Sequence, residues 1–340
     1  MNDFKSFVAK VARNETLTTE ESAQAFDIMM SGDATPSQMG AFLMGLKLRG
    51  ETQEEITGAV KTMRAKARII SAPTGAIDIV GTGGDMAHTL NISTATAIVV
   101  AGAGVPVAKH GNRASSSKSG TADALACLGL DLDAEFETVE KAIREANIGF
   151  MMAQRHHGAM RNVGPTRVEM GIPTIFNLLG PLSNPALVKR YMIGTYRPDT
   201  IELMATTLGE LGADRAWVVH GADGLDELST TGVSQICEFH NGQLTNFEMH
   251  PSDVNLSEVK LSDLKGGTPE ENAHAIRLLL DGESGPYRDV VLYNSAAALV
   301  VADKVQDMVE GIKLASHSID SGNAKSALEK LIKIAGLKDE

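Results

Sequence analysis

The sequence predicts an α/β protein in which a small all-helical N-terminal domain is joined to a larger α/β domain with a mainly parallel central sheet. Residues 1 to about 70 show apolar side chains at helical spacing. After residue 75, short apolar runs alternate with helical patterns, which is typical of a parallel sheet covered by helices. The turn-rich stretch 71–75 marks the boundary between the two domains.

Helix starts in the first domain carry the capping-box spacing, in which a threonine is followed three positions later by Glu or Gln. These pairs are Thr18 with Glu21, Thr35 with Gln38, and Thr52 with Glu55. Pro36 suits the first position of its helix, and Gly50 is predicted to end that helix. Three successive helices are therefore expected between residues 18 and 70.

The second domain is predicted to alternate strands with helices. The predicted strands are 77–80, 105–108, 148–153, 191–195, 216–219 and 290–293, and the predicted helices include 94–103, 121–129 and 136–147. A hairpin is expected over 234–249 around Asn241-Gly242, and the remainder of the last 70 residues is expected to be helical. Glycine and proline residues interrupt this alternation of strands and helices at about 165–190, and this segment is predicted to return to the helical domain. The α/β domain is then predicted to consist of residues 71–164 and 191–340.

Composition narrows the class of protein. A net charge of -12 disfavours nucleic-acid binding through a broad basic surface. No apolar run is long enough to span a bilayer, and the N-terminus lacks a signal-peptide pattern, so a cytoplasmic location is expected. Cys127, on a predicted buried helix face, and Cys237 are both expected to be structural.

The most informative segment is Lys109–Asp123, which contains three fixed cations, five hydroxyls and two glycines. Such a concentration of hydrogen-bond donors between two apolar runs favours binding of an anion, with phosphate as the leading candidate. A solvated linker is the alternative, but a strand and a helix need only about two to six residues between them. The segment is therefore predicted to bind a ligand.

Two further segments point to the same chemistry. Gly81-Thr82-Gly83-Gly84-Asp85 directly follows the first predicted strand, where backbone N–H groups of glycines can approach an anion. Thr89–Thr94 opens the next helix with four Ser, Thr or Asn residues, more than helix capping requires. The glycine spacing fits no dinucleotide fingerprint, and Ser117 stands where a Walker loop needs glycine, which excludes both motifs.

Carboxylates follow a later strand. Asp223, Asp226 and Glu227 offer the hard oxygen ligands that magnesium prefers, although an ordinary acidic turn explains them equally well in isolation. His156-His157 and Arg167 have no assignment from spacing alone; a surface or core role is the simpler interpretation for each.

Together these motifs resemble the anthranilate phosphoribosyltransferase family. The resemblance rests on 81–85, Asn91-Ile92-Ser93-Thr94, Lys109-His110-Gly111-Asn112-Arg113 and Asp226-Glu227, and also on the stretch 174–185, and it extends over the whole chain. It implies transfer of the phosphoribosyl group of phosphoribosyl pyrophosphate to the amine of anthranilate, in tryptophan biosynthesis, with pyrophosphate released and Mg²⁺ required. It also implies a cleft between the two domains and a homodimer formed through the helical domains.

The resemblance also implies residue roles. The donor, phosphoribosyl pyrophosphate, would be held by Gly81, Gly84, Asp85, Thr89, Asn91, Ile92, Ser93, Thr94, Lys109, His110, Gly111, Asn112, Arg113, Ala114, Ser115, Ser116, Ser117 and Thr121. Mg²⁺ would be held by Ser93, Asp226 and Glu227, and anthranilate would be contacted by Gly81, Asn112, Arg167, His110 and His157. No general acid or base is assigned, because an aryl amine is neutral at pH 7 and can attack without one.

Some positions depart from the family pattern, and two rival functions stay open. Thr121 stands where serine is usual but keeps the hydroxyl, whereas Gln154 and Gly158 replace prolines beside the expected acceptor path. A pyrimidine nucleoside phosphorylase would instead cleave thymidine or uridine with phosphate. A non-catalytic nucleic-acid-binding relative would need a basic cleft rim, which the net charge of -12 disfavours.

Overall fold

The computed structural model describes residues 3–113 and 120–337. Four helices form the N-terminal part: α1 (Phe4–Ala12), α2 (Thr19–Ser31), α3 (Pro36–Arg49) and α4 (Gln53–Ala65). The three predicted capping boxes are confirmed at the starts of α2, α3 and α4, and Gly50 ends α3 with a positive φ of 89°.

The rest of the chain carries the sheet and its covering helices. The strands are β1 (Ile77–Gly81), β2 (Val107–Gly111), β3 (Ile148–Met152), β4 (Arg190–Gly194), β5 (Arg215–Gly221), β6 (Ser234–His240) and β7 (Gln243–Met249). The helices are α5 (Ile92–Gly102), α6 (Thr121–Cys127), α7 (Phe136–Ala146), α8 (Ala153–His156), α9 (Gly164–Met170), α10 (Phe176–Leu182), α11 (Ile201–Glu210), α12 (Pro269–Leu280), α13 (Pro286–Val301), α14 (Met308–Asp320) and α15 (Asn323–Ala335).

The sheet order is β3-β2-β1-β4-β5-β6-β7, in which the first five strands run parallel and the hairpin β6–β7 is antiparallel. The predicted fold class is therefore confirmed. The chain proceeds from β1 towards β3 on one side and from β4 towards β7 on the other. The winding direction thus reverses between β1 and β4, and the carboxyl ends of strands at such a switch point are where open α/β sheets bind ligands.

Two apolar cores cover the two faces of the sheet. One contains the inward side chains of α5, α13 and α15, and the other joins the helical bundle to α10, α11 and the opposite face. Phe176 of α10 lies against Phe26 of α2, with ring centroids 5.4 Å apart. None of the helices within 3–113 and 120–337 is long and apolar enough to cross a membrane.

Two sequence predictions were wrong. Residues 290–293, predicted as a strand, lie inside α13, in which every residue from Val290 to Val301 is buried. A helix that is apolar on all sides has no polar stripe, so a short window of it cannot be distinguished from a buried strand. Cys127, predicted to lie on a buried helix face, is exposed at the end of α6, because α6 turns Ala124 and Leu125 inward instead.

Glu55 is a buried charge that holds the helical bundle together, and its removal is a test of that role. Its carboxylate accepts hydrogen bonds from the backbone N–H groups of Leu17 (2.9 Å) and Thr52 (3.0 Å) and pairs with Arg49. We expect Glu55→Ala to lower the free energy of unfolding by roughly 3–5 kcal/mol, since a buried cation loses its partner. Glu54→Ala, at an exposed neighbouring position, should change it by less than about 0.5 kcal/mol in the same urea titration.

Candidate active site

A cleft of about 410 Å³ lies at the carboxyl end of the parallel strands. The loops after β1, β2 and β5 form one wall, and α9, α10 and Met63 of α4 contribute to the other. Both parts of the protein therefore supply side chains to the same cavity, at the switch point of the sheet.

Glycines at the ends of β1 and β4 make room for Asp226. A Cβ atom on Gly81 would lie 2.1 Å from Asp226 Oδ2, and one on Gly194 would lie 1.5 Å from the Asp226 carbonyl oxygen. Gly83 then donates its backbone N–H to Asp226 Oδ2 at 2.7 Å. The glycine-rich loop 81–85 therefore packs around the Asp226 carboxylate, at the carboxyl ends of β1 and β4.

Burial disfavours the ionised forms of three carboxyls at this end of the cleft. Burial, with the nearby charge of Asp85, raises the pKa of Asp226 to about 7. Burial and then the neighbouring Asp226 raise the pKa of Glu227 well above its ordinary value, and burial also raises the pKa of Asp85. The carboxyls thus lack sufficient compensating positive charge.

Lys109 is the buried cation behind these carboxylates. Its Nζ donates to the carbonyl oxygen of Ile79 and to Ser93 Oγ at 3.2 Å. Burial lowers the pKa of Lys109, while the charges of Asp78, Glu227 and Asp226 oppose that change. Lys109 therefore offsets only part of the negative charge.

The donor set fits a magnesium ion. Asp226 and Glu227 line the same cleft as the Ser93 hydroxyl, and all three offer oxygen. Within the described ranges, no group of three or more His, Cys, Asp and Glu could enclose a metal ion without help. Mg²⁺ is commonly held in this way, by one or two carboxylates with the remaining positions filled by water and substrate phosphates.

The other half of the cleft is less polar and carries a guanidinium. Arg167 of α9 places its Cζ 5.2 Å from the centroid of the Phe176 ring, and burial lowers the pKa of Arg167. None of the ion pairs formed within residues 3–113 and 120–337 includes Arg167. A planar guanidinium on an aromatic ring, facing a cleft without a carboxylate partner, suits a ligand that bears a carboxylate.

Two histidines whose rings meet at a tilt of 57° complete this half. The rings of His110 and His157 are 5.1 Å apart. Burial, followed by the charge of the neighbouring His156, lowers the pKa of His157 to about 4, and burial likewise lowers that of His110 well below its ordinary value. Both imidazoles are therefore neutral at pH 7, so they contribute an uncharged surface beside Arg167.

The structure brings most of the predicted site residues to one cavity. Those that line it are Gly81, Gly84, Asp85, Thr89, Asn91, Ile92, Ser93, His110, Gly111, Asn112, Arg113, Thr121, His157, Arg167, Asp226 and Glu227. Thr94 and Lys109 are buried next to it rather than lining it. Ala114, Ser115, Ser116 and Ser117 lie outside the described residues. Of the two departures beside the expected acceptor path, Gln154 lines the cleft, whereas Gly158 does not.

Sequence reasoning missed a buried pair that joins the two walls. Asn184 donates from Nδ2 to Asp78 Oδ2 (2.7 Å) and to the Ala108 carbonyl oxygen (2.9 Å), and Asp78 Oδ1 accepts the His110 backbone N–H (3.0 Å). Burial raises the pKa of Asp78 to about 6. The chain after α10 is thereby fixed to β1 and β2 on either side of Lys109. The only sequence signal was an aspartate inside an otherwise apolar strand.

Comparison with known proteins supports the same interpretation. A model of the glycosyl transferase family, helical bundle domain, matches residues 5–67, and a model of the glycosyl transferase family, a/b domain, matches residues 73–325. The chain is 57% identical over 335 residues to an anthranilate phosphoribosyltransferase of Rhodopseudomonas palustris, which covers 98% of this chain and 99% of the relative.

Solved structures agree along the whole chain. The crystal structure of anthranilate phosphoribosyltransferase from Thermus thermophilus matches with a TM-score of 0.92 and 42% identity, over 97% of this chain and 99% of that one. The enzyme from Saccharomyces cerevisiae, in complex with phosphoribosyl pyrophosphate and Mg, matches with a TM-score of 0.89 and 30% identity, over 98% and 97%.

Proposed function

The chain belongs to the anthranilate phosphoribosyltransferase family, and from that premise we propose how its cleft carries out the reaction. The enzyme transfers the 5-phosphoribosyl group from phosphoribosyl pyrophosphate to the amine of anthranilate and releases pyrophosphate, a step of tryptophan biosynthesis. One observation carries the site assignment: enclosed carboxylates and a guanidinium without an ion-pair partner among the described residues line a single cleft.

The donor occupies the half of the cleft formed by the strand ends. Gly81, Gly84 and Asp85 meet its pyrophosphate end, where glycine backbones admit close approach. The N-terminus of α5, with Ser93 in its first turn, adds the positive end of the helix dipole. The wider donor set proposed from the sequence, which runs from Lys109 to Ser117 and includes Thr94 and Thr121, remains a prediction.

Asp226, Glu227 and Ser93 hold the Mg²⁺ cofactor. An ion held there would supply positive charge for the departing pyrophosphate. Asp226 and Glu227 are suited to this role because burial disfavours their ionised forms, which a bound cation would stabilise. Lys109 supplies a fixed positive charge from behind the same loop.

Arg167 orients the acceptor. Its guanidinium pairs with the anthranilate carboxylate, while Asn112 and the neutral rings of His110 and His157 flank the aromatic ring. The amine is thereby directed towards the donor half of the cleft. Gly81, which lies where the two halves meet, contacts both substrates.

The reaction is a displacement at the anomeric carbon of the ribose. The nitrogen lone pair forms the new C–N bond as the C–O bond to pyrophosphate breaks, and the electron pair leaves with the pyrophosphate. The nitrogen then loses one proton, which passes to solvent when the cleft opens to release the products, so no side chain is assigned as a base. Positioning by Arg167 and stabilisation of the leaving group by Lys109 and the loop amides account for most of the catalysis.

The two walls of the cleft come from two domains in this proposal. We assign residues 1–70, joined by about 165–190, to the helical domain, and 71–164 with 191–340 to the α/β domain. Contacts between residues 1–70 and 165–190 support the assignment: Arg64 donates from Nε to the Leu182 carbonyl oxygen at 3.0 Å, and Phe176 packs on Phe26. Closure of the domains would exclude water, which otherwise hydrolyses the donor.

A fluorescence assay tests the function directly. Loss of anthranilate fluorescence should require the enzyme, phosphoribosyl pyrophosphate and Mg²⁺ together. Phosphorolysis of thymidine or uridine in place of this reaction would favour the nucleoside phosphorylase. Salt-sensitive retention of single-stranded DNA on a filter, without turnover, would favour the nucleic-acid-binding relative. A cytoplasmic location remains a prediction.

We propose a homodimer formed through the helical domain. Ala41, Met44 and Leu48 form an exposed apolar row on α3, and Leu48 is 81% exposed. Val168 of α9, which packs beside α3, is also 81% exposed. Exposed apolar side chains grouped in this way mark an association surface.

A charge placed on this row should separate the protomers. We expect Leu48→Glu to shift the protein from dimer to monomer in sedimentation velocity, because a carboxylate would be buried without a partner. Leu244→Glu, on the edge strand β7, replaces another exposed leucine and should leave the dimer intact. A dimer that survives Leu48→Glu places the interface elsewhere.

A further inference from the structure

We propose that Asp223 and Asn294 are positioning residues for the magnesium site, which fix from outside the cleft the loop that carries Asp226 and Glu227. Neither Asp223 nor Asn294 lines the cleft, whereas the other two residues do. Asn294 of α13 is 1% exposed. The inference rests on the proposed function, because it assumes that Asp226 and Glu227 hold Mg²⁺.

Asn294 pairs with the backbone directly after Glu227. Its Oδ1 accepts the Leu228 backbone N–H at 3.0 Å, and its Nδ2 donates to the Leu228 carbonyl oxygen at 2.8 Å. Nδ2 also donates to the Val290 carbonyl oxygen, one turn earlier on α13, at 2.9 Å. Because a backbone N–H only donates and a carbonyl oxygen only accepts, these bonds fix the orientation of the amide. A single buried side chain therefore holds both backbone polar groups of Leu228.

Asp223 closes the same loop on itself. Its Oδ2 accepts hydrogen bonds from Ser229 Oγ at 2.9 Å and Thr231 Oγ1 at 2.6 Å, and its Oδ1 accepts the Leu225 backbone N–H at 3.3 Å. The sequence grouped Asp223 with the two cleft carboxylates as a candidate magnesium ligand. In the structure both of its oxygens bond to the loop, which gives Asp223 a different role from theirs.

The end of β5 adds a third anchor to this loop. Gly221 donates its backbone N–H to the Leu225 carbonyl oxygen at 2.9 Å. A Cβ on Gly221 would lie 2.8 Å from Asp223 Oδ1 and 2.9 Å from Ser229 Cβ, so the closed loop packs directly on the strand. The loop 221–231 is therefore fixed by contacts within the protein.

Magnesium makes this fixation useful. The ion demands near-ideal octahedral geometry, so its affinity depends on where the oxygen ligands stand before it binds. Adjacent carboxylates repel each other and would move apart on a freely moving loop. Anchors on both sides of Asp226 and Glu227 hold them in place in advance, which removes the cost of ordering them when the ion binds. Weakening either anchor should therefore lower the affinity for Mg²⁺ without changing a ligand.

Two adjacent threonines supply a matched test of the Asp223 anchor. Thr231→Val removes a hydroxyl that donates to Asp223 and leaves every proposed ligand in place. We expect about a tenfold rise in the Mg²⁺ concentration that gives half the maximal rate, and in the dissociation constant for Mg²⁺ alone in calorimetry. Thr230→Val should change both by less than about twofold, because the buried Thr230 Oγ1 has no hydrogen-bond partner in the described part of the chain.

The Asn294 anchor is tested in the same way. Asn294→Ala should raise both Mg²⁺ constants at least about tenfold, with the KM for anthranilate within about twofold of wild type. Leu299→Ala controls for loss of stability, because Leu299 is buried on the same helix and does not line the cleft. It should lower the melting temperature and leave the Mg²⁺ constants within about twofold.

Other patterns would overturn the proposal. If Asp223→Ala weakened Mg²⁺ binding and Thr231→Val did not, Asp223 would not act through the loop. If Leu299→Ala weakened Mg²⁺ binding as much as Asn294→Ala, the effect would be a loss of stability only. The threonine pair decides the question even if Asn294→Ala does not fold. A wild-type rate that did not respond to Mg²⁺ would instead refute the proposed metal site.

Discussion

Replacing Asp226 and Glu227 together by Asn and Gln should reduce turnover by at least about 100-fold and abolish its dependence on Mg²⁺ concentration. Asp226 is buried and Glu227 is half-buried at the switch point of the sheet, beside the Ser93 hydroxyl. The variant keeps the shape of the cleft but loses both charged oxygen ligands, so the departing pyrophosphate is no longer neutralised. Initial rates over a Mg²⁺ titration measure the effect.

Thermal unfolding supplies the control for this double change. Burial raises the pKa of both carboxyls, with added repulsion from Asp85 at Asp226 and from Asp226 at Glu227, so ionising them destabilises the ion-free protein. The amides should therefore not lower the melting temperature of the ion-free protein. Mg²⁺ should raise the melting temperature of wild type but not that of the variant. Unchanged kinetics across the titration would remove the metal assignment.

The sequence predicted the architecture wherever local signals were strong. Capping boxes located α2, α3 and α4, and Asn241-Gly242 located the turn of the β6–β7 hairpin. Local signals failed at 290–293, where α13 is buried on all sides and its periodicity is hidden. The strand order could not be predicted either, because pairing of β1 with β4 depends on contacts between residues more than a hundred positions apart.

The site was predictable where its chemistry is concentrated in one loop. Glycines, hydroxyls and cations after β1 and β2 indicated an anion site without any structure. Arg167 needed the family resemblance, since a single arginine carries no spacing signal. Asn184 was missed because its partner, Asp78, lies 106 positions away in the sequence.

Arg167→Ala should raise the KM for anthranilate roughly 10- to 100-fold, the expected loss for a charge-assisted hydrogen-bonded pair. The KM for phosphoribosyl pyrophosphate should stay within about twofold, because Arg167 lies on α9, away from the strand ends that hold the donor. Arg167→Lys should recover only part of the loss, since an ammonium cannot bind a carboxylate through two parallel bonds. Steady-state kinetics with each substrate varied in turn separates the two constants.

The substrate supplies a second test of the same contact. Aniline, which lacks the carboxylate, should be a poor acceptor for wild type, and its rate should be almost unchanged by Arg167→Ala. Removal of either partner then has a large effect, and removal of the second adds little, which is the pattern of two groups that interact directly. Arg161→Ala, at an exposed nearby position, controls for loss of positive charge. If Arg167→Ala instead raised the KM for phosphoribosyl pyrophosphate and left the KM for anthranilate unchanged, Arg167 would bind the donor. The two halves of the cleft would then have to be exchanged in the assignment.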